Sequence, residues 1–169
     1  GAEFGINDPS ASTGAAFLDY DLDGDLDLYL LNYPVEGVWT NKIEAKLGPD
    51  DKYYPLLEPR TPYDSDRLYR NDNGKFTDVS KQAGIWNLAY GLSVSISDFN
   101  RDGYPDIYVG NDFIQPDRLY INNKNGTFTD RLADYFTHTS QHTMGTDLND
   151  FDNDGLVDVL ALDMLPQTY

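Results

Sequence analysis

Three short stretches of the chain place acidic side chains on alternate positions. The first reads DYDLDGDLD at residues 19–27, the second DFNRDGYPD at 98–106, and the third DFDNDGLVD at 150–158. All fit the pattern D-x-[DN]-x-D-G-x-x-D, and they are named the first, second and third loop, with positions counted from the first Asp. Because carboxylates this close repel one another at neutral pH, the pattern predicts that a cation lies among them.

The residue types at these positions favour calcium. Positions 1, 3, 5 and 9 hold only Asp or Asn, and Gly at position 6 permits a sharp turn. Position 7 has no shared side chain, so a ligand there would be the backbone carbonyl. The predicted ligands are Asp19, Asp21, Asp23, Asp25 and Asp27 in the first loop, Asp98, Asn100, Asp102, Tyr104 and Asp106 in the second, and Asp150, Asp152, Asp154, Leu156 and Asp158 in the third.

An all-oxygen set without His or Cys argues against zinc and copper. Three or four carboxylates exceed what magnesium usually recruits from protein, so about three Ca²⁺ ions are predicted, with manganese or magnesium as the alternatives. The loops are not EF-hands, because position 12 holds Leu30, Val109 and Ala161 instead of Glu. The remaining alternative is that the Asp-Gly pairs only make solvated turns, which recurrence in register disfavours.

The loops recur with a period of about 50 residues, in the range of propeller blades and similar arrays. A second unit also repeats, as DRLYRNDNGKFTD at 66–78 and DRLYINNKNGTFTD at 117–130. The runs after the loops are β-branched and aromatic, hairpins are expected at Asn73-Gly74 and Asn125-Gly126, and residues 130–136 could form a helical turn. The first interval is longer, which places an insertion at about 33–65.

Composition limits the class of protein. With 169 residues, 40% of them hydrophobic and 14% aromatic, the chain is expected to form about one domain with a buried core. Because strand-like runs far outnumber helical ones and the motifs repeat, residues 1–169 are expected to be a single all-β repeat region. A net charge of −17 argues against nucleic acid and anionic membranes as partners. No apolar run is long enough for a membrane span, and no signal peptide is seen. The start at Gly-Ala-Glu-Phe suggests a mature or excised piece.

The repeated motifs resemble the FG-GAP/VCBS repeat family of integrin-α-like β-propellers. They are most similar to the ASPIC/UnbV-associated type of bacterial extracellular proteins. The resemblance rests on FLDYDLDGDLDLYLLN, DRLYRNDNGKFTDVSKQAGI, DFNRDGYPDIYVGNDF, DRLYINNKNGTFTD and HTSQHTMGTDLNDFDNDGLVDVLALDMLP. It covers most of the chain outside residues 33–65.

The resemblance implies a fold and a role. Each repeat would be a four-stranded propeller blade with calcium in a hairpin loop, in a secreted or cell-surface protein that binds or adheres and is not an enzyme. Such propellers usually close with about seven blades, whereas this chain would supply about three. The ring would therefore be incomplete, or assembled from copies that pair at open edges. The partner would be a protein or a glycan, or copies of the chain itself. Two alternative functions remain: a subunit of a self-assembling fibre, or a non-catalytic domain of a larger secreted enzyme.

Other residues could suggest different chemistry. His138 and His142 are four apart, as in a helical metal site, but Thr-Ser-Gln between them disfavours a helix, so a hydrogen-bonded structural pair is expected. Ser140 lacks the sequence context of a hydrolase nucleophile. Asp112, Asp117 and Asp163 are expected to cap strands or bond backbone.

The aromatic residues of the insertion allow two interpretations. These residues are Tyr33, Trp39, Tyr53, Tyr54 and Tyr63. Either they contact a partner, or they belong to a long loop that folds back over a blade. Asn125-Gly126-Thr127 is a glycosylation sequon, but a hairpin turn needs Asn-Gly there in any case.

Overall fold

The chain folds mainly into antiparallel β-sheet. The computed structural model describes residues 1–34, 45–55, 59, 61–88, 90–113 and 115–164. Its strands are β1 (Ser12–Leu18), β2 (Asp27–Asn32), β3 (Ala45–Leu47), β4 (Tyr53–Pro55), β5 (Arg67–Asp72), β6 (Lys75–Asp78), β7 (Gly91–Ser97), β8 (Asp106–Asn111), β9 (Arg118–Asn122), β10 (Phe128–Asp130), β11 (Thr143–Asn149) and β12 (Asp158–Asp163). The predicted all-β class is confirmed.

Short helical turns connect some of the strands. They are 3-10 turns at Ala2–Phe4 and Pro62–Asp64 and α-helical turns at Ser80–Ala83 and Leu132–Tyr135. The last of these confirms the helical turn expected within residues 130–136. In the described part of the chain, no helix is long and apolar enough to cross a membrane.

The strands form repeated up-and-down units. The first sheet has the order β1-β2-β5-β6, and the second sheet has the order β7-β8-β9-β10. The third unit contains β11 and β12, which pair with each other and are named the third hairpin. The insertion carries β3 and β4, which also pair with each other. The predicted repeat is therefore seen as two four-stranded sheets and one two-stranded hairpin.

Each unit begins with the same local irregularity. The pairing register shifts between Ser12 and Gly14 in the β1–β2 hairpin, and the same shift separates residues 91 and 93, and residues 143 and 145. A bulge at one repeated place bends the first strand of each unit alike. The three units are thus built from the same local geometry.

The central strands explain the continuous apolar runs in the sequence. β2 and β8 are buried along most of their length, because each has a strand on both sides and is covered on both faces. β12 has an equally apolar sequence, but no described strand pairs with its far edge. Leu160 and Leu162 of β12 are consequently 51% and 61% exposed.

Neighbouring units share their hydrophobic cores. One core joins Leu31 of the first sheet to Val109 of the second sheet. Another packs Leu148 and Val159 of the third hairpin against Tyr108 of the second sheet. Strand β7 contacts both β1 and β11, so the first strands of the three units lie side by side.

Hairpins are present at both predicted Asn-Gly positions, but only Asn73-Gly74 is a two-residue turn, because the β9–β10 connection has its left-handed residues at Lys124 and Gly126. Asn73 and Gly74 join β5 to β6 with φ of 54° and 84°, the left-handed pair that a two-residue hairpin needs. The β9–β10 connection turns through Gly126, whose φ is 81°. The side chain of Asn125 accepts a hydrogen bond from Thr127 N at 3.1 Å. Asn125 thus has a structural role in the turn.

The insertion is described only in part. The ring of Tyr33 packs edge-on against Tyr90 with 5.4 Å between centroids, and Tyr63 is exposed. Trp39 and the side chains at positions 53 and 54 lie outside the described residues. Contact between this insertion and a partner stays a prediction.

Candidate metal centre in the three aspartate loops

Each loop joins the first two strands of its unit and is closed by its position-1 carboxylate. The two oxygens of Asp19 accept hydrogen bonds from Asp23 N at 3.0 Å and Gly24 N at 3.1 Å. The same pair of bonds reaches Asp98 from Asp102 N and Gly103 N at 2.9 and 2.8 Å, and Asp150 from Asp154 N and Gly155 N at 3.0 and 2.8 Å. The loops are therefore hairpin connections with one shared curl.

Position 6 adopts the left-handed backbone that its glycine suggests. The φ of Gly24 is 95°, and Gly103 and Gly155 have φ of 89° and 82°. Position 4 is also left-handed in every loop, with φ of 59°, 59° and 62°. Sequence reasoning missed this second turn point, because position 4 is Leu22, Arg101 or Asn153, and only Asn favours that conformation.

The position-5 carboxylate holds the backbone of position 7. Asp23 Oδ1 accepts from Asp25 N at 2.8 Å. The equivalent bonds run from Tyr104 N to Asp102 at 3.0 Å and from Leu156 N to Asp154 at 2.7 Å. These bonds fix the N–H of position 7, whereas a metal-binding role for its carbonyl stays a prediction.

The position-9 carboxylate ties each loop to its surroundings. Asp27 accepts from Tyr20 N at 3.1 Å and from Asn71 N of β5 at 2.8 Å. Asp106 repeats both bonds, with Phe99 N at 2.9 Å and Asn122 N of β9 at 2.8 Å. Asp158 accepts from Phe151 N at 2.8 Å, and no described strand lies where β5 and β9 lie in the first two sheets. In the first two units, the position-9 carboxylate thus couples the loop to the next hairpin of the same sheet.

Two loops bring carboxylate oxygens from positions 1, 3 and 9 within 4.8 Å of one another. These groups are Asp19, Asp21 and Asp27 in the first loop and Asp150, Asp152 and Asp158 in the third. The position-5 side chains Asp23 and Asp154, which the sequence predicts as ligands, do not belong to these groups. The second loop carries an amide, Asn100, at position 3, and so its described residues offer no such carboxylate triplet.

One carboxylate oxygen of the first loop is buried without compensation from the described part of the chain. Asp21 Oδ1 is buried and has no hydrogen-bond partner among the described residues. Burial, and then the neighbouring carboxylate of Asp23, raise the pKa of Asp21. Burial also raises the pKa of Asp27 to about 6. A hard cation with oxygen ligands fits this set, because it would supply the positive charge that these buried oxygens lack.

The His and Ser residues near the third hairpin have other partners. His142 Nδ1 lies 3.1 Å from Asp112 Oδ1. Ser140 Oγ donates to Asp163 Oδ2 at 2.6 Å, and the backbone N–H of His142 donates to the same oxygen at 3.4 Å. The bonds of His142 and Asp163 fit structural roles, but His142 bonds Asp112 and His138 lies beside Thr137, so no bond between the two histidines is seen among the described residues. These contacts do not assemble Ser140 and His142 into a nucleophile–base pair.

Two buried aspartates organise the opposite ends of the central strands. Asp66 accepts from Asn32 N and from the hydroxyl of Tyr29, both at 2.9 Å. Asp117 accepts from Asn111 N at 2.8 Å and from the hydroxyl of Tyr108 at 2.7 Å. The backbone bond of Asp117 agrees with the expectation from the sequence. The role of Asp66 was missed, although both residues begin the repeated DRLY motif that could have indicated it.

Comparison with known proteins identifies similar sequences. The model of the FG-GAP-like repeat matches residues 60–109 and 98–161. Cartilage acidic protein 1 of Mus musculus is 31% identical over 157 residues, which are 92% of this chain and 22% of that protein. The chain therefore spans less than a quarter of the length of this curated relative.

Proposed function

Because the chain belongs to the FG-GAP-like repeat family, we propose that it is a calcium-stabilised, non-catalytic binding module of a β-propeller that works outside the cell. The family is generally non-enzymatic, is typical of extracellular or surface proteins, and mediates protein interactions. The contacts of β7 with both β1 and β11 support the propeller, since neighbouring blades of a propeller pack side by side around a central channel.

The observation that carries the calcium proposal is Asp21 Oδ1, which is buried and has no hydrogen-bond partner in the described part of the chain, within a loop geometry that recurs three times. Bound calcium would supply charge compensation to the oxygens of positions 1, 3 and 9. The position-9 carboxylate would pass that stabilisation to the sheet, because Asp27 and Asp106 also hold the backbone of β5 and β9. The metal would therefore have a structural role linked to folding.

The experiment is thermal unfolding of the protein in calcium, after chelation, and after addition of calcium or magnesium. We expect chelation to lower the melting temperature and calcium to restore it at concentrations where magnesium does not. The Asp51→Asn variant serves as control, because Asp51 is an exposed acid outside the loops whose left-handed backbone Asn tolerates. No change on chelation would overturn the calcium proposal.

The proposed binding role is supported by a row of rings at the ends of strands from all three units. Tyr33, Tyr90, Phe113 and His142 follow one another with centroid distances of 5.4, 5.7 and 6.4 Å. Phe113 is 41% exposed and has a left-handed φ of 62°, a costly conformation for a bulky residue. Exposed aromatic rings such as Phe113 contribute strongly to protein interfaces.

A panel of extracellular proteins and immobilised glycans would test this surface. We expect a protein ligand whose binding is lost in Phe113→Ala and retained in Phe4→Ala, since Phe4 is an exposed ring near the N-terminus. Glycan binding that depends on Phe113 would replace the protein partner with a carbohydrate. Binding that is unaffected by Phe113→Ala would move the interface elsewhere.

A second candidate function is self-assembly through β12. Its far edge has no described partner strand, and Leu160 and Leu162 are exposed beside it. Sedimentation velocity over a range of concentrations would detect assembly. If this candidate holds, Leu162→Lys should abolish large species, whereas Leu47→Lys, at an exposed position of β3, should not. A monomer at all concentrations would exclude it.

A further inference from the structure

The three loops differ in charge although they share one backbone geometry. The first loop carries five aspartates and the third carries four, whereas the second carries three. At position 3 the second loop has Asn100, where the first has Asp21 and the third has Asp152. Calcium affinity rises with the number of charged ligands, so the second loop has the weakest donor set.

The second loop also has one of its carboxylates paired with a cation of the protein itself, whereas at the third loop the guanidinium of Arg101 lies against the backbone of Gly155. Lys124 Nζ lies 3.3 Å from Asp102 Oδ2 and 3.4 Å from the carbonyl oxygen of Asp102. The same ammonium lies 5.5 Å from the ring centroid of Tyr104. Asn100 Nδ2 adds a hydrogen bond of 2.9 Å to Asp102 Oδ2. The position-5 carboxylate therefore already has a positively charged partner.

The neighbouring hairpin turn explains why the second loop has an ammonium group, that of Lys124, whereas among the described residues the first loop has none at the equivalent place. In the first sheet the β5–β6 turn reaches the loop through a neutral group, the N–H of Asn73, which donates to Asp25 Oδ2 at 2.8 Å. In the second sheet the β9–β10 turn reaches the loop through Lys124. The backbone of Lys124 is fixed there by a bond of 2.8 Å from its N–H to Asn122 Oδ1. Equivalent turns thus deliver different charges.

We infer that Lys124 sets the calcium affinity of the second loop, which fills last and empties first. This inference rests on the proposed calcium binding. An ion entering the second loop meets the repulsion of the ammonium, and one fewer carboxylate attracts it. When calcium leaves, the ammonium stays and limits repulsion among the remaining carboxylates. The second loop is therefore the one whose occupancy responds to falling calcium while the other two remain filled.

The position-6 glycines give a site-specific measurement, because the N–H of each donates to the position-1 carboxylate of its own loop. Calcium is titrated into the metal-stripped protein while the amide resonances of Gly24, Gly103 and Gly155 are followed by NMR. We expect Gly103 to shift at a higher calcium concentration than the other two. Native mass spectrometry counts the ions bound at each step.

Two variants test the cause. Lys124→Met should lower the calcium midpoint of Gly103 by up to about fivefold, the range of an exposed ion pair. Asn100→Asp should lower it further by restoring the position-3 carboxylate. Lys46→Met is the control for net charge, because Lys46 is an exposed lysine of β3 outside the loops.

The outcomes separate this inference from the proposed function. If Gly103 shifts together with Gly24 and Gly155, or if Lys124→Met changes its midpoint no more than Lys46→Met does, Lys124 does not set the affinity and calcium binding stands. If none of the three glycines responds to calcium, the proposed function and the inference both fail.

Discussion

At the scale of single residues, the preference for aspartate has a geometric reason. The carboxylate of Asp19 reaches the N–H groups of Asp23 and Gly24, four and five residues later in a tight curl. A glutamate would place its oxygens one methylene further from its own backbone, beyond this arrangement. Short side chains that bond nearby backbone are the ones that stabilise turns.

Asp21→Asn is expected to act in opposite directions with and without calcium. In the metal-free protein it removes one member of a set of mutually repelling carboxylates. The free energy of unfolding should therefore increase by up to about 1 kcal/mol after solvent screening, and the melting temperature should rise with it. With calcium present it removes a charged ligand, so affinity at the first loop should fall by roughly tenfold. Calorimetric titration and thermal unfolding measure the two effects.

The matched control is Asp51→Asn, which makes the same chemical change outside the loops. It should alter neither calcium affinity nor the difference in melting temperature between the two forms. If Asp21→Asn lowered the melting temperature equally with and without calcium, Asp21 would be a structural hydrogen-bonding residue and not a metal ligand.

Asp66 predicts a pH dependence that does not involve the loops. Burial raises its pKa to about 6 in the folded protein, against 3.8 for an ordinary Asp. Burial removes the carboxylate from water, so ionising Asp66 in the folded protein costs free energy. Its stabilising contribution is complete below about pH 4 and is lost as the pH rises through 6, which amounts to about 3 kcal/mol.

Urea unfolding of wild type and Asp66→Asn between pH 4 and pH 8 measures this effect, since Asn does not titrate. The stability of wild type relative to Asp66→Asn should decrease between pH 4 and pH 6 and then stay level. Changes in the loops affect both proteins and cancel in the difference. A constant difference across this range would show that Asp66 keeps its ordinary pKa.

At the scale of elements, close approach between neighbouring units is made possible by a small residue. A Cβ built on Gly110 of β8 would lie 2.4 Å from Thr143 Cγ2 of β11 and 2.6 Å from Ser93 Oγ of β7. The second sheet and the third hairpin therefore meet where β8 has no side chain.

Gly110→Ala is expected to destabilise the protein by about 1–3 kcal/mol, because the added methyl forces β8 and β11 apart. Gly145→Ala is the control, since a Cβ there would meet its nearest neighbour, Leu162 Cδ1, at 4.0 Å. Urea unfolding monitored by fluorescence measures both. Equal stability of the two variants would mean that the units shift at no cost and do not pack rigidly.

At the scale of the whole molecule, the net charge of −17 opposes the compact state. Raising sodium chloride from about 10 mM to about 500 mM shortens the screening length from about 30 Å to a few ångströms. The melting temperature of the metal-free protein should rise by several degrees, and that of the calcium-loaded protein by less. Tetramethylammonium chloride is the control for sodium binding in the loops. Equal shifts in both forms would mean that the loop charges do not limit stability.

Local sequence patterns predicted the repeated units, the hairpins and the position of every aspartate loop. These features follow from local rules: Asn73-Gly74 selects a hairpin turn, and alternate Asp with Gly at position 6 selects the curl. The left-handed backbone at Leu22 and Arg101 was beyond local rules, because neither residue favours it. It follows from the hydrogen bonds that close the curl.

Which equivalent residues differ in role depends on packing between strands. Asp27 and Asp158 occupy the same loop position, yet Asp27 is buried and bonded to β5, whereas β12, which begins at Asp158, pairs with β11 and has no described strand on its other edge. Lys124 lies in one turn among several, and its contact with Asp102 depends on how the β9–β10 hairpin folds back onto the second loop. Such contacts join residues distant in sequence, so their charge and burial are set by packing between strands and not by the local pattern.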